Sequence, residues 1–135
     1  MTASAIKLSM TPEEAAACGM VIALHAEVAP DRPAILSPLG DRTYAALNAR
    51  SNQLVRALRS AGLKEGDAVA LLCANRPEFV ETCVALSRCG MRLTPINWHL
   101  TAEEIGYIVE NCEAKSFIAD ARFAEKAEEV SAVSP

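Results

Sequence analysis

Three short apolar runs, each bounded by turn-forming residues, dominate the second half of the chain. They are residues 68–73, 91–96 and 116–119, and the first of them is six apolar residues without alternation. Such runs are typical of strands that are covered on both faces, as in a parallel sheet. The stretches between them repeat apolar residues with the period of a helix. The pattern therefore predicts three inner strands joined by helices, in right-handed βαβ units of an open α/β sheet.

Capping signals mark the ends of the helices that join these strands. Pro77 occupies a first helical position, and Gly90 supplies a left-handed residue that ends the same helix. The sequence Thr101-Ala102-Glu103-Glu104 is a capping box, which predicts that another helix begins there. Asp120 is placed to cap a final helix that includes Phe123.

The beginning of the chain shows no period over residues 1–10, which are predicted to form a loose arm. Residues 12–28 place apolar side chains every four residues, as in one amphipathic helix. Within it, residues 15–24 are as apolar as the core of a signal peptide. However, Glu13 and Glu14 precede them where such a peptide carries positive charge, and the run falls short of the ~20 residues that span a bilayer. Neither a leader nor a transmembrane segment is predicted.

A small hairpin is predicted between this helix and the sheet. Residues 34–37 and 42–44 are its strands, and the Pro/Gly-rich residues 38–41 form the turn. Thr43 can then cap a long helix that ends at Gly62. The fold class predicted from the whole pattern is α/β, a partial doubly wound and mostly parallel sheet flanked by helices, with a small N-terminal hairpin.

Composition agrees with one α/β core and excludes one class of partner. The 135 residues are 51% hydrophobic but only 4% aromatic, which favours helices packed on a sheet over an all-β sandwich. The formal net charge is -4, and no run of Lys and Arg exceeds two residues. The chain therefore lacks the basic surface that nucleic-acid binding requires.

The cysteines indicate a reducing compartment. There are five, an odd number, and none forms a C-x-x-C pair, so neither a zinc site nor a full disulfide set is indicated. We interpret those in the apolar runs as small core residues, and we expect a cytoplasmic protein. The five cysteines of the chain are Cys18, Cys73, Cys83, Cys89 and Cys112.

Open α/β sheets bind ligands at the carboxyl ends of their strands, and the residues that follow the predicted strands carry no familiar catalytic motif. No glycine follows residues 68–73 before Pro77, which excludes a dinucleotide fingerprint or a phosphate-binding loop at that turn. A receiver-type phosphoacceptor domain would need an aspartate at the end of a central strand, where Cys73 and Ile96 stand. No metal-ligand spacing is present, and a nucleophile pair of Cys89 with His99 is a weak alternative.

The sequence Asn97-Trp98-His99 directly after the second strand raises the question of a working site. Pro95 ends the strand, Asn97 can bond its own backbone two residues on, and Trp98 can cover the helix below. A structured turn accounts for all three residues, and a functional role for His99 is left open.

The order of the turn signals resembles the beginning of the adenylate-forming (AMP-binding) acyl-CoA synthetases, most closely the fatty-acid–CoA ligases. T-Y-x-x-L at Thr43 and L-S-R-C-G-M-R-L-T-P-I-N ending at Asn97 are similar to two core motifs of that superfamily, although Ala46 stands where the family usually has Glu. The resemblance covers about residues 20 to 130. Its blocks, in order, are residues 31–34, 42–48, 62–69, 75–79, 90–97 and 101–105.

The resemblance implies a two-step ligase. A carboxylate displaces pyrophosphate from ATP to give an acyl-adenylate, and a thiol, usually of CoA, then displaces AMP. The family's triphosphate loop, magnesium site, ribose-binding aspartate and catalytic lysine match nothing in this chain. Residues 11–135 are therefore expected to be the first portion of the large N-terminal domain, inactive alone, in a parent that uses ATP, Mg²⁺, CoA and a carboxylic acid, with fatty acids favoured. His99 matches a position near the mouth of the CoA channel that is commonly Arg.

Two further expectations concern partners. A piece of a larger sheet exposes a strand edge, so self-association is expected. The alternative to a ligase fragment is a free-standing, non-catalytic α/β module that binds a partner.

Overall fold

The computed structural model describes residues 9–134 and begins with two short helices rather than one. Helix α1 spans Pro12–Ala17 and helix α2 spans Val21–Val28. The predicted single helix over residues 12–28 is wrong because Gly19, in the turn between α1 and α2, adopts a positive φ of 71°, outside the right-handed helical region. Of the predicted arm over residues 1–10, residues 1–8 lie outside the described part of the chain.

The predicted hairpin and long helix are confirmed. Strand β1, Pro33–Ile35, pairs antiparallel with β2, Arg42–Thr43. Helix α3, Tyr44–Ser60, begins where the Thr43 hydroxyl accepts a hydrogen bond from the Ala46 N–H at 3.2 Å.

Three parallel strands form the sheet, in the order β4-β3-β5. Only β3, Ala68–Leu72, is buried along its whole length. Strands β4, Arg92–Ile96, and β5, Ala114–Ala119, each have one unpaired edge and are partly exposed. The prediction of three inner strands is therefore wrong for the outer two, because within this chain each has a neighbour on one side only.

Helices cover both faces of the sheet, which confirms the doubly wound α/β class. On one face, Val69 packs with side chains of α3 and α4. On the other, Ala70 and Leu72 pack against side chains of α5 and α6. The helix bounds are Pro77–Cys89 for α4, Ala102–Asn111 for α5 and Ala124–Val133 for α6, which follows a 3-10 turn at Ala121–Phe123.

The caps of these helices follow local sequence signals. Thr101 and Glu104 form the predicted capping box, and Gly90 ends α4 with a φ of 68°. Asp120 caps the 3-10 turn through the N–H of Arg122 instead of capping α6 directly. No helix within residues 9–134 is long and apolar enough to cross a membrane.

A buried carboxylate ties the hairpin and α3 to α4. One oxygen of Glu81, Oε1, accepts hydrogen bonds from Arg42 Nε at 2.7 Å and from Arg50 Nε at 2.6 Å. The two guanidinium groups compensate a charge that would otherwise be costly to bury.

Candidate functional site

The carboxyl ends of all three parallel strands lie at one edge of the sheet, and the turns that follow them form the candidate site. Residues 73–76 follow β3, residues 97–100 follow β4, and Asp120 with the 3-10 turn follows β5. Two groups of side chains come together there, one on each side of the sheet.

The turn after β4 is held by its own backbone. The side chain of Asn97 accepts a hydrogen bond from the His99 N–H at 3.0 Å, which confirms the predicted asparagine turn. The Leu100 N–H donates to the Asn97 carbonyl at 3.2 Å. His99 is left exposed, while Trp98 is half-buried against the core beneath α5 and α6.

Aromatic rings continue outward from this turn as a stack. His99 lies on Trp98 with ring centroids 3.6 Å apart, and Trp98 lies on Phe123 at 5.5 Å. The guanidinium carbon of Arg122 is 5.4 Å from the centroid of the Phe123 ring. The stack therefore ends in an imidazole on one side and a permanent cation on the other, both exposed to solvent.

Helix α6 also holds the turn through a lysine. The Lys126 ammonium donates to the carbonyl of Trp98 at 2.9 Å and to that of Leu100 at 2.8 Å. The sequence pattern predicts Phe123 in a helix and does not indicate that Arg122 joins the stack or that Lys126 bonds the turn. The only local signal was the position of Arg122 shortly after the end of β5, and Lys126, within α6, had none.

A polar cluster lies on the opposite face, between the ends of β3 and β5. Arg76 donates to Asp120 Oδ1 at 2.8 Å and to Glu78 Oε2 at 2.7 Å. The Asp120 side chain is fully enclosed, and its Oδ2 has no hydrogen-bond partner. A cavity of about 310 Å³ adjoins this cluster and is also lined by Cys73.

The electrostatics of the cluster keep Cys73 protonated. Burial raises the pKa of the Cys73 thiol, and the negative charge of Asp120 raises it further, against the opposing effect of Arg76. Although burial alone would raise the pKa of Glu78, the hydrogen bond from Arg76 lowers it overall. A thiol with a raised pKa is a poor nucleophile, so the cluster is an ion-pair network rather than a reactive cysteine site.

The structure separates the alternative nucleophile pair. Cys89 is buried at the end of α4, before β4 begins, and its Sγ lies 3.6 Å from the Leu86 carbonyl. His99 follows the opposite end of β4, a strand of five residues. Since each strand residue adds about 3.3 Å, the two side chains cannot form a hydrogen-bonded pair.

Comparisons with known proteins identify what the chain is similar to. The model of the family described as "AMP-binding enzyme" matches residues 22–134. The chain is 32% identical over 111 residues to the fatty acid–[acyl-carrier-protein] ligase ScoC of Streptomyces coeruleorubidus, covering 82% of this chain and 21% of that protein. It is 32% identical over 99 residues to the indoleacetate–CoA ligase of Aromatoleum aromaticum, covering 73% and 19%.

A solved structure shows the same arrangement of elements. The N-terminal domain of FACL13 from Mycobacterium tuberculosis superposes with a TM-score of 0.80 at 31% identity, over 85% of this chain and 29% of that one. The chain spans about a fifth of the length of the curated relatives it matches.

Proposed function

The chain belongs to the AMP-binding enzyme family, and from that premise we propose that it is the first portion of the large N-terminal domain of an ATP-dependent, AMP-forming acid–CoA ligase. The observation that carries the proposal is the family match over residues 22–134 in a chain that spans about a fifth of its relatives. The proposed domain portion is residues 11–135.

The residues present do not fit the triphosphate or its metal. Within residues 9–134 no group of three or more His, Cys, Asp and Glu could hold a metal ion. The turn at residues 73–76 has no glycine that would let backbone N–H groups approach a phosphate. We therefore assign ATP and Mg²⁺ to residues outside this chain, and we expect the 135-residue chain alone not to form an adenylate.

The proposed substrate is a carboxylic acid, with fatty acids favoured. Two supports are the P-I-N-W-H-L-T sequence ending at Thr101 and the fatty acid named for the relative ScoC. The indoleacetate ligase shows that relatives of similar identity are named for aromatic acids too. The class of acid substrate can be tested by ATP–pyrophosphate exchange. The assay uses the product of the complete reading frame with short-chain, long-chain and aryl acids in parallel. Exchange greatest with an aryl acid would contradict the fatty-acid assignment.

His99 is the residue of this chain that we propose to lie at the rim of the CoA channel. Its support is its exposure after the carboxyl end of β4, at one end of the aromatic stack whose other end is Arg122. An imidazole can donate a hydrogen bond to a phosphate, without the permanent charge of an arginine.

The His99→Ala change in the complete ligase tests this role. We expect the KM for CoA to rise about three- to tenfold, the effect of one lost polar contact, while acid-dependent pyrophosphate exchange is unchanged. His25→Ala is the matched control, because His25 stacks on Tyr44 at 4.9 Å, away from this turn. If both half-reactions of the His99 variant match those of the wild type, His99 is a turn residue only.

We also propose a cytoplasmic location and self-association through a free sheet edge. The five cysteines are all free thiols, which supports a reducing compartment. The unpaired edges of β4 and β5 support association.

A further inference from the structure

Lys126 reaches the 97–100 turn from a distant part of the chain and makes two hydrogen bonds there. Both acceptors are backbone carbonyls, and they flank His99 on either side. The first bond holds the peptide unit between Trp98 and His99, and the second holds the unit between Leu100 and Thr101, so the backbone is fixed on both sides of His99.

The charge of Lys126 is not used in an ion pair with any carboxylate of residues 9–134. None lies within the 4.0 Å of a salt bridge, although Glu103 and Glu129 line the same surface depression between α5 and α6. Its two hydrogen bonds go to neutral backbone carbonyls instead. Because the donor is a charged ammonium, these bonds are stronger than bonds between two neutral groups, and they hold the carbonyls in a fixed direction.

Phe123 acts on the same turn from one helical turn earlier. It stacks on Trp98, and it is the last residue of the 3-10 turn that leads into α6, three residues before Lys126. The 3-10 turn and the first turn of α6 thus hold the 97–100 turn at two places, by a ring contact and by the ammonium.

We propose that Lys126 is a positioning residue, which holds the Trp98–Leu100 backbone so that the His99 imidazole stays stacked on Trp98 at the rim of the site. The expected effect of Lys126 on CoA binding rests on the function proposed above. The expected effect on the turn is independent of that function, and it is measured by a separate experiment.

Trp98 is the only tryptophan of the chain, so its fluorescence reports on this turn alone. The experiment compares wild type with Lys126→Met, Lys126→Gln and Lys126→Arg, and with Lys115→Met as the matched control at an exposed position of β5. We expect Lys126→Met and Lys126→Gln to shift Trp98 emission to longer wavelength and to raise its quenching by acrylamide about twofold, since a released indole is more open to water. Lys126→Arg keeps hydrogen-bond donors for both carbonyls, so its emission wavelength and quenching should stay close to those of the wild type. Lys115→Met should match the wild type in both quantities.

Unchanged emission and quenching in both Lys126→Met and Lys126→Gln would overturn the proposal. So would loss of the far-UV circular dichroism of the whole chain in both variants, because Lys126 would then support the fold rather than the turn. In the complete ligase, Lys126→Met should raise the KM for CoA about fivefold with pyrophosphate exchange unchanged. A complete protein without any exchange would refute the ligase function and leave the fluorescence result standing.

Discussion

Glu113 carries a strained backbone at the turn between α5 and β5. Its φ is 55°, the only positive value at a non-glycine residue among residues 9–134. Its N–H donates to the Glu110 carbonyl at 2.9 Å, so the conformation closes the end of the helix. A left-handed conformation costs an ordinary L-residue roughly 1–2 kcal/mol, a penalty that glycine avoids.

Replacement of Glu113 by glycine should therefore stabilise the chain. We expect Glu113→Gly to raise the free energy of unfolding by about 1 kcal/mol, after allowance for the greater freedom of glycine in the unfolded chain. Urea unfolding followed by circular dichroism measures it. Glu110→Gly, at an exposed position inside α5, is the control and should lower the same quantity by about 1 kcal/mol. Equal losses in both variants would show that the φ of Glu113 carries no strain.

Single residues were predictable where the signal is local. Thr43, Asn97 and Thr101 each bond a backbone N–H two or three residues away, so sequence spacing alone identifies the contact. The contacts of Lys126 with Trp98 and Leu100 join residues 28 and 26 positions apart. They depend on where the sheet brings α6, which no local pattern encodes.

Among the elements, the break between α1 and α2 shows a different limit. Apolar residues recur at every fourth position on both sides of Gly19, a pattern that predicts one continuous helix. In the structure Gly19 has a left-handed backbone and lies against α4: a Cβ at this position would stand 2.8 Å from both the backbone carbon and the oxygen of Ser87. Tertiary contact overrides the local period.

Gly19→Ala should consequently destabilise the fold more than an equivalent change at an open site. We expect a loss of about 3 kcal/mol, from left-handed strain and from the clash with Ser87. Gly62→Ala is the matched control, since Gly62 has a φ of 91° but a Cβ added there would meet nothing within 4 Å. It should lose only about 1–2 kcal/mol. Equal losses in urea unfolding would show that the close approach to Ser87 is not a constraint.

At the scale of the whole molecule, the parallel sheet within residues 9–134 has two edge strands, β4 and β5. In β4, Pro95 has no N–H to offer a further strand, whereas β5 has no proline and is the more open edge. The sequence predicted the parallel strands and their helices, but it placed all three strands inside the sheet. Apolar runs of this kind show that a strand is covered on its faces, and carry no information about how many neighbours it has.

Association through the open edge should be visible by light scattering. We expect the average mass to rise above the monomer value of 14.4 kDa as concentration increases, because pairing satisfies the free N–H and C=O groups of β5. A monodisperse species of 14.4 kDa at every concentration would contradict the proposed self-association.

Acid-dependent ATP–pyrophosphate exchange tests the central claim most directly. The reading frame that contains this chain is expressed through to its own stop codon, and the 135-residue chain is assayed beside it. We expect the complete product to exchange pyrophosphate into ATP only when a carboxylic acid is present, and the shorter chain to show no exchange. Absence of exchange by the complete product with every acid of the panel would contradict the account and favour a non-catalytic binding module.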